Sequence, residues 1–371
     1  MTSVEYTYPF LRNATIVASK ENYLNPKSLQ VTHYCDCYGL PYRPLAKGDV
    51  NYVGGGLRTL TGEEFGTLYE YDSKDAINIK EEVCFIGHIS SICWGHIITD
   101  SIARLWWLAD PSIKNHLINL PIYYFSETPL SGNFLDFIKL LGIPINNLHR
   151  LNRVTHFESV YVPDVCFDNH RISLRYSKEY NSLINQLITR CEHISTPRKF
   201  YLIRENSNRQ ICSNEIRMIL EKTGFECIFP ERYSVPYQIS LFHNAKCIVS
   251  EESSLSHNFI FCKPYTRVII LRKANTINIY QALINTMRNL NVTYIDCHLS
   301  IGLNQRHRGP FFLYANENFC NYFRQNKRQF PYIEFNEYIQ ITKVAPSKNT
   351  THPLDSHYKE IIQEILSSSC V

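Results

Sequence analysis

The sequence is short of charge. Asp, Glu, Lys and Arg make up 19% of its 371 residues, and hydrophobic residues 44%. Ordinary globular chains carry about 25% charged residues, and a disordered chain would invert the balance seen here. Charge of one sign is missing too: 38 basic against 34 acidic residues leave a formal net charge of +4. That excess is far too small for the basic field of a dedicated nucleic-acid binder. Long apolar runs are absent. The longest uncharged stretch, Val83–Thr99, contains His, Ser and Gly and falls short of the ~20 apolar residues that span a bilayer. The opening MTSVEYTYPFLRN has no basic segment followed by an apolar one, so no secretory signal is expected. There is no C-x-x-C, H-E-x-x-H, G-x-S-x-G or G-x4-G-K-S/T, which removes the common zinc, thioredoxin, hydrolase-elbow and P-loop signatures. The 13 cysteines are scattered and odd in number. In a chain too long to need staples they read as reduced, mostly buried thiols in a reducing compartment.

What is present is a folded chain long enough for two domains at roughly 150 residues each. From Lys199 to Asp296 short apolar strands alternate with helical runs. Strands are predicted at Lys199–Arg204, Phe225–Phe229, Lys246–Ser250, Arg267–Leu271 and Val292–Ile295. Helices are predicted at Ser213–Lys222, Pro236–Ala245, Ser253–Phe261 and Ile279–Leu290. Buried strands alternating with helices argue a parallel sheet covered on both faces, with ligands bound outside the carboxyl ends of its strands. The first half is less regular, and residues 1–80, rich in Tyr, Gly and Pro, are expected to form loops and short antiparallel strands. Strands are predicted at Val83–Gly87, Leu120–Phe125 and Ser159–Val162, with helices at Trp94–Ala109 and Phe134–Leu141. A long connection is expected around 165–195, and a terminal amphipathic helix at His357–Leu366. The division expected is 1–180 and 181–315, with a tail over 316–371 that packs back on the first domain.

Three groups of residues can carry chemistry. In WGHIITDSIARLWWLA, residues His96, Asp100 and Arg104 recur every four positions and would share one helical stripe. A carboxylate one turn from an imidazole can form a base with its orienting partner, hold a metal, or be a merely solvated stripe. In YLIRENSNRQ, Arg204 and Arg209 stand at a strand's carboxyl end, where two guanidiniums can clamp phosphate or simply face solvent in a turn. In EESSLSHN, small residues Ser253 and Ser254 open a helix, where backbone N–H groups can receive a diphosphate or the serines act only as caps. Glu251 and Glu252 would repel a phosphate, so they must point away or act on a sugar hydroxyl.

Taken in order, these groups resemble glycosyltransferase family 61. The resemblance is carried by Gly95, His96, Asp100, Arg104 and Leu105; by Arg204 and Arg209; by Pro230, Glu231, Tyr237, Gln238, Leu241, Phe242 and Ala245; and by Ser253 to Asn258. It departs from the family pattern at Glu252-Ser253-Ser254, where His-Gly-Ala is usual, and at Ile203, where Ser is common. The resemblance implies an α/β, GT-B-like architecture of two Rossmann-like domains facing a cleft. It implies an inverting transfer from a nucleotide-sugar, mostly UDP-sugar, donor in capsule or lipopolysaccharide assembly. Asp100 would take the acceptor's proton with His96 orienting it, or His96 would itself be the base. Arg204, Arg209, Ser253 and Ser254 would hold the diphosphate, with Glu231, Gln238, Glu252, His257 and Asn258 supporting the donor and Arg104 on the acceptor side. No metal or other cofactor is required in this reading. The acceptor is a saccharide or lipid-linked saccharide, met in the cytoplasm or peripherally at the inner face of the plasma membrane. Two rivals stand beside it: a non-catalytic nucleotide- or saccharide-binding protein on the same fold, and a hydrolytic metal site at His96 and Asp100.

Overall fold

The computed structural model describes residues 10–12, 23–43, 56–59, 64–66, 69–168, 175–191, 194–205, 210–211, 213–272, 278–297, 311–313, 315, 318–319 and 322–323. Arg209 and the helix expected at His357–Leu366 lie outside them.

The C-terminal half follows the sequence pattern closely. Its sheet runs Glu226–Ile228, Lys199–Leu202, Cys247–Glu251, Arg267–Arg272, Asn291–Asp296, all parallel, with Phe10–Arg12 added antiparallel at the edge. In chain order the parallel strands read 2-1-3-4-5, a doubly wound arrangement whose switch point lies between the first and third strands. Those are Lys199–Leu202 and Cys247–Glu251. Side chains alternate between two buried faces, as covered parallel strands require. Tyr201, Val249, Ile269 and Ile295 face helix Ser213–Lys222. Phe200, Leu202, Ile248, Val268 and Ile270 face helices Val235–Asn244 and Ile279–Met287 and the whole N-terminal half.

The N-terminal half matches expectation in part: the short antiparallel strands expected within residues 1–80 form at Val31–Leu40, Gly56–Thr59 and Glu64–Gly66, but they join the parallel strands in one sheet. Its sheet runs Glu64–Gly66, Gly56–Thr59, Val31–Leu40, Thr155–Pro163, Ile77–His88, Ile122–Phe125, Leu148–Arg150. Only the last four of these strands run parallel, so the sheet is mixed and not a second doubly wound one. The molecule is a mixed α/β fold. Helix Lys178–Thr189 forms inside the expected connection and crosses the expected boundary at residue 180. Its buried face of Tyr180, Leu183, Ile184, Leu187 and Ile188 joins a single hydrophobic cluster that runs from one sheet to the other. In the tail, Phe319, Tyr322 and Phe323 pack on the C-terminal sheet with Ile216 and Leu220, not on the N-terminal half. Among the described residues no helix is long and apolar enough to cross a membrane. Cys84, Cys166, Cys191 and Cys262 are free thiols.

Candidate active site

The expected helix Trp94–Ala109 is broken into three pieces. Trp94–Thr99 is α-helical, and Ser101–Arg104 and Trp106–Ala109 are separate 3-10 turns. Hydroxyls compete for the backbone at the break: Thr99 Oγ1 donates to the Gly95 carbonyl at 3.1 Å and Ser101 Oγ to the His96 carbonyl at 3.4 Å, a pairing that bends helices. Trp106 and Trp107 are both buried, at 2% and 0% exposure, so this turn is covered on more than one side.

The four-residue spacing survives the break for one pair. His96 Nδ1 lies 2.7 Å from Asp100 Oδ2, and the single Thr99 hydroxyl proton is shared between the Gly95 carbonyl and the same Asp100 oxygen, 2.9 Å away. The His96 side chain is 62% exposed and Asp100 28%. The hydrogen bond from Asp100 raises the His96 pKa above its usual value, burial opposes it, and the charges of Asp100 and Glu127 add to the rise. Arg104 leaves the stripe. Its guanidinium donates to the Pro163 carbonyl and lies over Gly87, so it spans the carboxyl ends of the strands Ile77–His88 and Thr155–Pro163.

The switch point of the C-terminal sheet faces this pair. Arg204 follows strand Lys199–Leu202 and donates to Ser254 Oγ, at the start of the 3-10 helix Ser254–Phe261. Ser253 Oγ caps that helix by accepting the Leu255 N–H at 3.2 Å. The two glutamates point away from it. Glu251, 1% exposed, accepts from the Tyr201 hydroxyl at 2.9 Å. Glu252 accepts the Asn278 N–H at 2.9 Å and so anchors helix Ile279–Met287. Gln238 is buried and donates to the Tyr233 carbonyl at 2.9 Å, which makes it a brace of its own helix start. Glu231 is exposed just beyond strand Glu226–Ile228.

The two halves meet at the helix that carries His96. Trp94 Nε1 donates to Asn258 Oδ1 at 2.7 Å. Gly95 lies so close that a Cβ there would sit 2.6 Å from Ser254 Cβ and 3.2 Å from His257 Cδ2. His257 is the most constrained titratable group in the site. Its Nδ1 lies 3.0 Å from Gln281 Oε1, Gln281 Nε2 donates to Asn285 Oδ1 at 2.8 Å, and Asn285 Nδ2 donates to the Tyr294 hydroxyl at 3.0 Å. With the Gln281 oxygen as acceptor, Nδ1 holds the proton and Nε2 the lone pair. Burial pushes the His257 pKa down to about 4, against the Gln281 hydrogen bond, so the ring is neutral at pH 7.

The structure thus brings together His96, Asp100, Arg204, Ser253, Ser254, His257 and Asn258, while Gln238 and Glu252 serve the backbone around them. Sequence reasoning missed Glu127, whose carboxylate takes His88 and Ser91. No spacing could reveal it, because the contact spans 39 residues and depends on strands Ile77–His88 and Ile122–Phe125 lying side by side. Among the described residues no group of three or more His, Cys, Asp or Glu is placed to hold a metal.

The family model for glycosyltransferase 61 matches residues 94–269. Over this segment the chain matches glycosyltransferase family 61. The match opens on Trp94, takes in the His96–Asp100 pair, Arg204 and Ser254, and closes inside strand Arg267–Arg272. The protein is a glycosyltransferase, acting with a sugar donor and an acceptor. No curated protein matches the chain significantly.

Proposed function

We propose that the glycosyltransferase performs an inverting, GT-B-like transfer from a nucleotide-sugar, a UDP-sugar by preference, to a saccharide acceptor in surface-polysaccharide assembly. The single observation that carries this reading is the His96–Asp100 hydrogen bond of 2.7 Å set opposite the Arg204–Ser254 contact at the switch point. Asp100 already accepts from both His96 and Thr99, so it orients the ring, and the more exposed His96 is the base. With Nδ1–H held by Asp100, Nε2 takes the acceptor's hydroxyl proton. The acceptor oxygen bonds to the anomeric carbon as the bond from that carbon to the diphosphate oxygen breaks. The leaving nucleoside diphosphate carries away the electron pair, and the exposed fork of Arg204 meets its charge. Arg209 and the amides around Ser253 and Ser254 are assigned to the same task. His257 and Asn258 line the joint between donor and base. Withdrawal of Glu251 and Glu252 into their own hydrogen bonds removes the repulsion that would otherwise oppose a phosphate.

An acceptor carried on a lipid would be met at the cytoplasmic membrane face. The test is hydrolysis of a panel of nucleotide-sugars by wild type, His96→Gln and Asp100→Asn. Each variant should lose roughly 10²–10⁴ in turnover while retaining UDP affinity in calorimetry. Full turnover in His96→Gln would overturn the base assignment, and UDP binding with no turnover of any donor by wild type would favour a non-catalytic binder.

A further inference from the structure

His96 does not reach the cleft by its own helix alone. Strand Ile77–His88 ends at the rim, and residues 89–93 lead from it into helix Trp94–Thr99. The Ile89 N–H donates to the Phe125 carbonyl at 3.0 Å and the Ser90 N–H to Ser101 Oγ at 2.9 Å, and Ser91 is tied down by one side chain from beyond the neighbouring strand. Glu127, two residues beyond strand Ile122–Phe125, presents Oε1 to His88 Nε2 at 3.0 Å. Its Oε2 accepts the Ser91 N–H at 2.9 Å and the Ser91 hydroxyl at 3.1 Å. Ser91 Oγ accepts in turn from the Thr128 N–H and from Thr128 Oγ1, both at 2.9 Å. The carboxylate therefore closes a ring between two adjacent strand ends, next to Ser90, whose Oγ accepts the Cys93 N–H at 3.1 Å where the helix begins.

We infer that Glu127 is a positioning residue for His96, holding the loop that delivers it and keeping a fixed negative charge beside it. The inference rests on His96 being the acting base. Burial alone would raise the Glu127 pKa, but the hydrogen bonds from His88 and the Ser91 N–H outweigh it and bring it down to about 2, so the charge persists at any working pH. That charge is one of the influences raising the His96 pKa, after the hydrogen bond and charge of Asp100. The other groups around His96 do not replace it. His257, from helix Ser254–Phe261, is neutral. The Arg104 guanidinium is turned to the Pro163 carbonyl, the Tyr180 hydroxyl from Lys178–Thr189 to the Ile98 carbonyl, and Arg204 to Ser254.

The test reads His96 directly, by NMR titration of its ring protons in the full-length protein, assigned by the signal lost in His96→Gln. Neither donor nor acceptor is needed, so a failed activity assay and a failed positioning role are told apart. Glu127→Gln keeps an acceptor for the Ser91 N–H and removes the charge. It should lower the His96 midpoint by roughly half a pH unit, with Asp100→Asn lowering it further as the positive control. Glu127→Asp, which keeps the charge, should hold the midpoint nearer to wild type and serves if the glutamine variant does not fold. An unmoved midpoint in Glu127→Gln alongside a lowered one in Asp100→Asn would overturn the inference. So would a midpoint in Glu127→Asp as low as in Asp100→Asn.

Discussion

His257 and His96 carry the same side chain a few ångströms of packing apart, and their surroundings drive them in opposite directions. Burial lowers His257 to about 4 from 6.5, whereas the Asp100 hydrogen bond raises His96. The consequences for stability have opposite signs. On acidification the unfolded chain protonates at position 257 first, so the stability His257 contributes is complete above pH 6.5 and is lost as pH falls toward 4. The full loss is roughly 3 kcal/mol. Urea midpoints between pH 7 and pH 5 should fall in wild type and change less in His257→Asn; equal slopes would refute the assignment. His96 acts in reverse: its contribution is complete below pH 6.5 and fades as pH rises through its raised value. The pairing of His96 with Asp100 was legible in the spacing of four. The neutrality of His257 was not, because it comes from burial at the joint between the two halves, against the pull of its Gln281 hydrogen bond, and no local spacing encodes that burial.

Among elements, helix Trp94–Thr99 shows where periodicity misleads. Ile98, Ile102 and Leu105 are all buried, as the apolar pattern requires, yet the helix stops after six residues. Hydroxyl competition at Thr99 and Ser101 outweighs the pattern. The element also depends on one small residue. Gly95→Ala gains about 1 kcal/mol of helix propensity, but its Cβ would lie 2.6 Å from Ser254 Cβ. Both atoms sit next to backbone, with no flexible end to yield, so overpacking of roughly 1–3 kcal/mol should win. A lower urea midpoint with an unchanged slope, and weaker UDP binding, are the expected readings. A wild-type midpoint would show that the contact is slack. By contrast, the C-terminal strands matched their predicted places within a residue or two, because each is a short apolar run buried on both faces and bounded by turn residues.

At the scale of the whole molecule, one hydrophobic cluster contains residues of both sheets, from Ile86 and Ile122 to Phe200 and Ile270. The two halves should therefore unfold in one transition. Helix Lys178–Thr189 is the seam. Arg288, 6% exposed, binds the Cys262 carbonyl through Nε at 3.2 Å and Nη2 at 3.1 Å, and reaches Asn185 Oδ1 with Nη1 at 2.9 Å and also Asn181. Arg288→Ala strands the buried Cys262 carbonyl, while the half-buried Asn181 and exposed Asn185 can turn to water, which costs about 1–3 kcal/mol. Calorimetry should show one lowered transition with UDP affinity retained. Two separate transitions in wild type would mean that the halves fold independently.

The sequence by itself determined the α/β class, the places of the C-terminal strands along the chain, the family resemblance and the approach of His96 to Asp100. Each of these depends on local periodicity, on order along the chain, or on one turn of helix. The tertiary structure alone decided that the antiparallel N-terminal strands join the parallel ones in one sheet and that Arg104 leaves the site for the Pro163 carbonyl. It also decided that Glu251 and Glu252 turn inward and that Glu127 holds the loop before His96. These outcomes depend on which strands lie side by side and on which hydrogen-bond partners burial brings within reach. Neither is written in the spacing of residues.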